Sequence, residues 1–206
     1  MRQSFVVYDE FLPNPEAFLE RAQSLPFRRS GMIPGNLATG RVSWASRMER
    51  RCEQLLGRKV TWARKLGSGT YRWTSAREAS ARGTEFYSHS DGIYDVVCLL
   101  YLSPERHCHG GTGFFRHKKT GLSGYHDLAP VQRVMDREGT SVLALDTEIL
   151  KDAYDRDAWD MTDLVEMRSN RLVIYNSRRF HSHVFDFAAV PKGSKRWTFA
   201  CFGRSD

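Results

Sequence analysis

Two segments within the first 60 residues are predicted to form α-helices. Asn14 precedes a proline, an arrangement typical of a helix N-cap followed by proline at the first helical position. The apolar residues that follow recur three and four positions apart, which predicts a helix to about Leu25. We expect a loop containing Gly and Pro over 31–40, and then a second helix over about 43–56 with arginines on its outer face.

Short segments rich in β-branched and aromatic residues, bounded by turn residues, mark the strands of the chain. Strands are predicted at 5–8, 60–66, 70–74, 84–90, 95–102, 111–116, 162–168, 171–176 and 195–202. The polar stretch over 120–160 predicts helical fragments. About eight short strands, with helices that can pack on one sheet face, favour an α+β, mainly β fold.

The architecture that this order favours is a double-stranded β-helix, a jelly-roll or cupin-like core, buttressed by N-terminal helices. We expect a single domain over residues 1–206, with helical support over about 1–58 and the jelly-roll core over about 59–206. A length of 206 residues, 41% of them hydrophobic and 12% aromatic, is enough for such a core and excludes disordered, collagen-like and coiled-coil chains.

Membrane and secretion signals are missing from the sequence. No apolar run approaches the ~20 residues of a membrane-spanning helix, and the N-terminus lacks the apolar segment of a signal peptide. The four cysteines lack C-x-x-C spacing, so we expect reduced thiols. These features predict a cytoplasmic protein without a membrane partner.

Positive charge is concentrated in the first part of the chain. The net charge is +7, and residues 1–82 hold 15 Lys and Arg against 7 Asp and Glu. Such asymmetry fits either a solvated helical surface or a surface that faces phosphates or an acidic substrate.

The segment that suggests chemistry contains His89 and Asp91, which are two residues apart on a predicted strand and so project from the same face. Together they can hold one metal ion. A third ligand is expected from the strand that ends near His181 and His183. Two histidines and one carboxylate on one face of an octahedron form the facial triad of non-haem Fe(II) oxygenases.

Arg196 and Thr198 share the inner face of the last predicted strand. A guanidinium on an apolar inner face needs a carboxylate partner, which it binds through a bidentate fork. A dicarboxylate cosubstrate anchored on iron would supply that partner. Tyr71, Arg72 and Trp73, on an earlier strand, are expected at the pocket mouth or in core or rim packing.

The order of these features resembles the Fe(II)/2-oxoglutarate-dependent oxygenase superfamily, in particular its prolyl-hydroxylase-like branch, over residues 65–202. Residues 89–91 are similar to its H-x-D motif, and 100–103 followed by 110–114 to its Y-L-N and G-G-E-x-x-F segments. Residues 170–175 and 196–198 are similar to the strand before the distal histidine and to the closing R-x-S/T. The chain departs from the pattern because the family's Glu is absent from residues 110–113.

The resemblance implies that His89, Asp91 and a distal histidine bind iron. His181 is the preferred distal ligand, and His183 remains an alternative because both histidines occur where the family has H-x-V. The presence of Asp91 favours hydroxylation, since halogenating relatives replace this carboxylate with Gly or Ala to admit a halide.

The resemblance also implies that Arg196 pairs with the far carboxylate of 2-oxoglutarate, with Thr198 beside it. Tyr101 is expected to donate a hydrogen bond to the same carboxylate. The implied cofactors are Fe(II), the cosubstrate 2-oxoglutarate and O2, with succinate and CO2 as products. We expect hydroxylation of an unactivated C–H bond in a small molecule, such as an amino acid or a peptide-derived metabolite, with an anionic substrate as one option.

Other functions stay open at this point. The oxygenase could act on a protein side chain or, less in keeping with the sequence, on a nucleic acid. A cupin-like metalloenzyme without 2-oxoglutarate could use His107, His109, His181 and His183 as H-x-H pairs, and it would not need Arg196. A basic binding module without catalysis would bind no metal. The sequence does not determine the oligomeric state.

Overall fold

The structure, a computed structural model, describes residues 5–29, 35–39, 45–63, 69–80, 85–185, 189 and 191–205. Its described α-helices are α1 (Pro15–Gln23), α2 (Ala45–Leu56), α3 (Ala76–Ser80), α4 (Leu128–Glu138) and α5 (Val142–Lys151). Its described strands are β1 (Phe5–Tyr8), β2 (Arg28–Arg29), β3 (Asn36–Thr39), β4 (Val60–Trp62), β5 (Thr70–Ser75), β6 (Val96–Tyr101), β7 (Gly111–His117), β8 (Trp159–Glu166), β9 (Leu172–Tyr175), β10 (His181–Val184) and β11 (Lys195–Ser205). The predicted α+β, mainly β class is confirmed.

The strands form two antiparallel sheets that pack face to face. The larger sheet has the order β1-β9-β6-β11-β5-β3-β2, and β4 also pairs with β11. The smaller sheet has the order β10-β7-β8. One cluster of buried residues joins the two inner faces, with Tyr101 and Val173 from the larger sheet and Phe114 and Val165 from the smaller one. This two-sheet arrangement agrees with the predicted jelly-roll core.

The central strand β11 has one face against the N-terminal helices and the other face toward the smaller sheet. Trp197, Phe199 and Cys201 belong to the cluster that also contains Ala22 of α1 and Met48 of α2. The alternate residues of β11 point to the opposite side, between the sheets, because successive side chains of a strand face opposite ways. The predicted helical buttress therefore covers the outer face of the larger sheet and leaves the inner face for the pocket.

Helices α4 and α5 support the smaller sheet from its other side. Their apolar residues pack with residues of β7, β8 and the segment before β10 in a third buried cluster. The cluster contains Phe115, Leu122, Val131, Val134, Leu145, Ile149, Trp159 and Phe180. The helical fragments expected over 120–160 are thus two helices that hold β10 from behind.

Two adjacent glycines allow β7 to lie close to its neighbours. A Cβ on Gly110 would lie 1.9 Å from the carbonyl oxygen of Val184, and one on Gly111 would lie 2.0 Å from the carbonyl oxygen of Val165. Gly110 also has φ +71°, a conformation that favours glycine. Close packing therefore explains the two glycines in this chain, and this explanation does not need the family's Glu, which is absent after them.

The predicted strand over 84–90 is wrong for the described residues 85–90. Their backbone donors reach separate partners: Tyr87 donates to the Ser182 hydroxyl at 3.1 Å, and Ser88 donates to the Ala153 carbonyl at 2.8 Å. Only His89 makes a bridge to a strand residue. Because no single neighbouring strand accepts these hydrogen bonds, the segment is extended but is not a strand of a β-sheet.

The predicted loop over 31–40 is also only partly correct. Residues 36–39 form β3, which pairs with β5 and with β2. Residues 31–34 and 40 lie outside the described part of the chain. The second helix begins at Ala45 in the described structure, and positions 43 and 44 lie outside it.

None of the four cysteines forms a disulfide, as predicted. Among the described residues, no helix combines the length and apolar character needed to cross a bilayer.

Candidate metal centre

Three side chains that the sequence analysis selected meet between the two sheets. His89, Asp91 and His181 each present a ligand atom, and these atoms all lie within 4.8 Å of one another. The His181 Nε2 atom is 3.3 Å from Asp91 Oδ2, and the His89 Nε2 atom is 3.7 Å from Asp91 Oδ1. Within the described part of the chain, this is the only such group of three or more metal-ligating side chains.

Backbone hydrogen bonds hold the two ends of this group together. His89 donates to the His181 carbonyl at 3.0 Å, and His181 donates back to the His89 carbonyl at 2.9 Å. The Asp91 amide donates to the carbonyl of Ser177 at 2.8 Å. The three candidate ligands are therefore fixed through the main chain, independently of any ion.

Each imidazole is oriented by a backbone carbonyl on its far side. The Nδ1 atom of His181 lies 2.8 Å from the Arg179 carbonyl, and that of His89 lies 3.1 Å from the Tyr87 carbonyl. A carbonyl only accepts, so both Nδ1 atoms carry a proton and both Nε2 atoms are turned toward Asp91. Metal-binding histidines in proteins are commonly oriented in this way.

The electrostatics of the group favour the protonation states that bind a cation. Burial, with the neighbouring His181, lowers the pKa of His89 to about 4. Burial acts to raise the pKa of Asp91, but the hydrogen bond and charge of His181 outweigh it and hold the pKa below its usual value. The geometry thus offers a neutral His89 and a carboxylate anion beside the Nε2 atom of His181, donor types suited to ferrous iron.

His183 lies in the same pocket but outside the group of three. It is two residues beyond His181 on β10 and lines the pocket wall. The structure therefore brings His181, and not His183, into the triad with His89 and Asp91. His107 ends a 3-10 helix and His109 follows it, and neither joins a cluster of ligands among the described residues.

Arg196 and Thr198 line the same pocket from the inner face of β11. The Arg196 Nε atom is buried and has no hydrogen-bond partner among the described residues. An unpartnered buried donor is costly, and a guanidinium fork fits a carboxylate. Arg196 and the triad together therefore fit a ligand that has one carboxylate for the arginine and donor atoms for a metal.

Tyr101 lies beside Arg196 at this end of the pocket. Its hydroxyl is 2.6 Å from the Thr112 hydroxyl, and the Arg196 guanidinium carbon is 5.3 Å from the centre of its ring. Tyr101 is fully buried, and burial raises the pKa of its hydroxyl against the opposing charge of Arg196. The neutral hydroxyl remains a hydrogen-bond donor close to the position that a carboxylate on Arg196 would occupy.

Arg72 is one of three neighbouring residues that the sequence places at the pocket mouth or in core or rim packing, without a role for it. On β5 it lines the pocket, and its Nε atom is buried without a hydrogen-bond partner among the described residues. The neighbouring Tyr71 and Trp73 point to the other side of the sheet and pack in or against the core under the helices. The signal in the sequence was the alternation of side chains along β5, which places Arg72 on the opposite face of the sheet from Tyr71 and Trp73.

Comparisons with known proteins identify the family and the fold of the chain. A family described as "Family of unknown function (DUF6445)" matches residues 1–196. No curated protein matches the sequence.

The fold of this chain resembles those of several solved structures over nearly its whole length. HygX from Streptomyces hygroscopicus, with nickel and 2-oxoglutarate bound, has a TM-score of 0.54 at 13% identity, covering 98% of this chain and 83% of HygX. SnoK, a non-heme alpha ketoglutarate dependent carbocyclase from nogalamycin biosynthesis, has a TM-score of 0.57 at 11% identity, covering 99% and 80%. The epimerase SnoN from the same biosynthesis has a TM-score of 0.53 at 11% identity, covering 98% and 79%. At these identities the likeness establishes the fold alone, and the prolyl-hydroxylase-like branch stays a prediction. The chain belongs to the DUF6445 family and has the fold of the Fe(II)/2-oxoglutarate-dependent oxygenases.

Proposed function

We propose that the protein is an Fe(II)- and 2-oxoglutarate-dependent dioxygenase that hydroxylates a C–H bond of a small molecule. One observation carries the proposal: a group of His, Asp and His shares its pocket with Arg196, whose buried Nε atom has no hydrogen-bond partner among the described residues. The first feature suits ferrous iron, and the second suits the far carboxylate of a 2-oxo diacid. Few other ligand sets need both features in one cavity.

His89, Asp91 and His181 would hold the iron through two imidazole nitrogens and one carboxylate oxygen. Three ligands on one face leave the opposite positions open for further ligands. When bound, iron, 2-oxoglutarate and O2 would supply the oxidising chemistry: one oxygen atom of O2 would enter succinate, formed with CO2 from 2-oxoglutarate, and the other would enter the substrate. The histidines keep their Nε2 atoms aimed at the ion because Arg179 and Tyr87 accept from Nδ1.

Arg196 would bind the far carboxylate of 2-oxoglutarate through two parallel N–H donors. Thr198 lies on the same face of β11 and lines the pocket beside it. Tyr101 would donate from its neutral hydroxyl to the same carboxylate. These three residues would fix the cosubstrate at the end of the pocket away from Asp91.

Apolar side chains line part of the cavity and would help to exclude water from the reacting atoms. They are Val97, Leu99, Ala200 and Phe202. Exclusion of water protects a reactive oxidant from side reactions. The presence of Asp91 supports hydroxylation over halogenation, because the carboxylate fills the position that a halide would take in the halogenating relatives that the motifs resemble.

A small-molecule substrate is supported by the solved structures with the same fold. SnoK and SnoN are described as enzymes of nogalamycin biosynthesis. We propose the same class of substrate for the present chain. We also propose that the protein is a single-domain cytoplasmic enzyme. A protein or nucleic-acid substrate and a cupin-like enzyme without 2-oxoglutarate are the alternatives that the following test separates.

The test measures succinate formed from 2-oxoglutarate in air with Fe(II), across a panel of amino acids and peptide-derived metabolites. We expect at least one compound to stimulate succinate formation and to gain one oxygen atom by mass spectrometry. Asp91→Ala and Arg196→Gln should abolish both signals. Arg116→Gln is the matched control, because this arginine is exposed and pairs with Asp160 at 3.0 Å. Oxidation of a substrate that survives Arg196→Gln would overturn the use of 2-oxoglutarate.

A further inference from the structure

The pocket contains a second arginine that 2-oxoglutarate does not need. Arg72 on β5 and Arg196 on β11 both line the cavity of the triad, and both have a buried Nε atom without a hydrogen-bond partner among the described residues. Neither forms an ion pair with a described carboxylate. Two guanidiniums of like charge in one cavity are unfavourable unless ligands neutralise them.

The two arginines serve different ends of the pocket. In the sheet, Arg72 is the cross-strand partner of Thr198, whereas Arg196 is the partner of Thr74, two residues further along. The triad lies toward Phe202 on β11, because Phe202 and Tyr175 both pair with Val97 and the Tyr175 ring centroid is 5.0 Å from that of His181. Arg72 therefore lies nearer the metal end of the cavity than Arg196 does.

The two arginines differ in the charges that would neutralise them once iron and 2-oxoglutarate are bound. Ferrous iron and the 2-oxoglutarate dianion cancel each other, and Asp91 offsets one guanidinium. The phenol of Tyr101 is neutral because burial raises its pKa, and the imidazoles are neutral as ligands. Among the described pocket residues, one positive charge is then left over at the metal end. A buried cation without a counter-charge is costly, so the loaded pocket is complementary to one further anion.

We infer that Arg72 binds a carboxylate of the primary substrate and makes the enzyme selective for small carboxylic acids. The inference rests on the proposed function, because it assumes that iron and 2-oxoglutarate occupy the pocket. A bidentate pair between Arg72 and the substrate carboxylate would set the substrate beside the metal in one orientation. Arg72 thus acts as a residue that determines specificity, while the triad and Arg196 serve the common chemistry.

The experiment uses the protein loaded anaerobically with Mn(II) and 2-oxoglutarate, so that binding is measured without turnover. The probes are N-acetyl amino acids, each paired with its primary amide, which differs by the loss of the charge. Affinities are measured by ligand-observed NMR for wild type, Arg72→Gln and the surface control Arg116→Gln. Affinity for 2-oxoglutarate itself is measured by calorimetry for the same proteins and for Arg196→Gln.

We expect at least one acid to bind wild type and Arg116→Gln about tenfold more tightly than its amide, the usual effect of a charge-assisted hydrogen bond. Arg72→Gln should bind acid and amide alike, and should lose far less affinity for 2-oxoglutarate than Arg196→Gln. Arg72→Lys provides a second variant that keeps the charge, and it should restore part of the preference for acids.

The contrary outcomes are distinct. If wild type binds 2-oxoglutarate but no acid binds better than its amide, or if the preference persists in Arg72→Gln, the assignment of Arg72 is wrong. If Arg72→Gln loses 2-oxoglutarate as completely as Arg196→Gln, the carboxylate that Arg72 holds belongs to the cosubstrate, and the substrate assignment is overturned. If wild type binds no 2-oxoglutarate, the proposed function fails, and the inference fails with it.

Discussion

His89 and His181 exchange both of their backbone hydrogen bonds, at 3.0 and 2.9 Å, although His89 lies in an extended segment and His181 begins β10. The same pairing brings their imidazole rings to 4.5 Å between centroids. A single two-residue bridge therefore sets the spacing of the two candidate nitrogen ligands. Because the bridge uses only main-chain atoms, substitution of either side chain should leave the backbone geometry intact.

His181 is expected to be a metal ligand and its neighbour His183 is not. His181→Ala should weaken Mn(II) affinity by more than about 100-fold, since loss of a direct ligand exceeds the effect of losing an outer-shell partner. His183→Ala is the matched control on the same strand and should leave the affinity unchanged. Isothermal titration calorimetry measures both, and the reverse order of effects would identify His183 as the ligand.

The Tyr101 hydroxyl is expected to contribute to binding of 2-oxoglutarate. Tyr101→Phe should weaken the affinity for 2-oxoglutarate about tenfold, the usual effect of removing one hydrogen bond to a charged group, and should leave metal affinity intact. Thr112→Val breaks the same 2.6 Å hydrogen bond from the other side but keeps the phenol. An equal loss in both variants would show that the bond between them, and not donation to the cosubstrate, is what matters.

Cys108 is expected to be unreactive in the folded protein. Burial, with the nearby Glu105, raises the pKa of this half-buried thiol to about 12 from its ordinary 9.0. At pH 8 such a thiol is a thiolate in roughly one molecule in ten thousand. Native protein should therefore react slowly with Ellman's reagent, whereas all four cysteines react in guanidinium.

The same shift has a consequence for stability. The unfolded chain releases the Cys108 proton near pH 9 and the folded chain keeps it, so the free energy of unfolding should fall as the pH rises above 9. Cys108→Ser should remove that part of the decline. Rapid modification of one thiol in native wild type, absent in Cys108→Ser, would contradict the assigned environment.

Asn170 is expected to anchor the N-terminal segment to the sheet. Its side chain accepts from the Leu12 amide and donates to the Leu12 carbonyl, each at 2.8 Å, and its φ is +60°. Asn170→Ala should lower the free energy of unfolding by about 3 kcal/mol through two lost hydrogen bonds and a strained backbone. Asn170→Gly relieves the strain and should cost about 1 kcal/mol less than the alanine variant. Urea denaturation measures both, and an alanine variant as stable as wild type would refute the anchor.

Much of the site could be predicted because its motifs are local. His89 and Asp91 project together from an extended segment, and Arg196 and Thr198 alternate on β11 in the way that a strand requires. The prediction that residues 84–90 form a strand is nevertheless wrong for the described residues 85–90. An extended conformation is enough to align His89 with Asp91, whereas membership of a sheet depends on a neighbour that the sequence does not reveal.

Other parts of the site depend on contacts between distant segments. The sequence favours His181 but leaves His183 open, because both lie on the same face of β10. It is the bridge from His89 to His181 that separates them. The sequence placed Arg72 at the pocket mouth but assigned it no role, since that role arises only when β5 pairs with β11 and sets Arg72 beside Thr198.

The most direct test of the account is an anaerobic titration of metal-free protein with Fe(II) and then with 2-oxoglutarate. The signal is the weak visible charge-transfer absorption of a 2-oxo acid chelated to ferrous iron, and no substrate is needed. We predict a saturable band in wild type, no band in Asp91→Ala, and a band that needs far more 2-oxoglutarate in Arg196→Ala. Wild-type protein that binds Fe(II) without developing the band on addition of 2-oxoglutarate would contradict the proposed function.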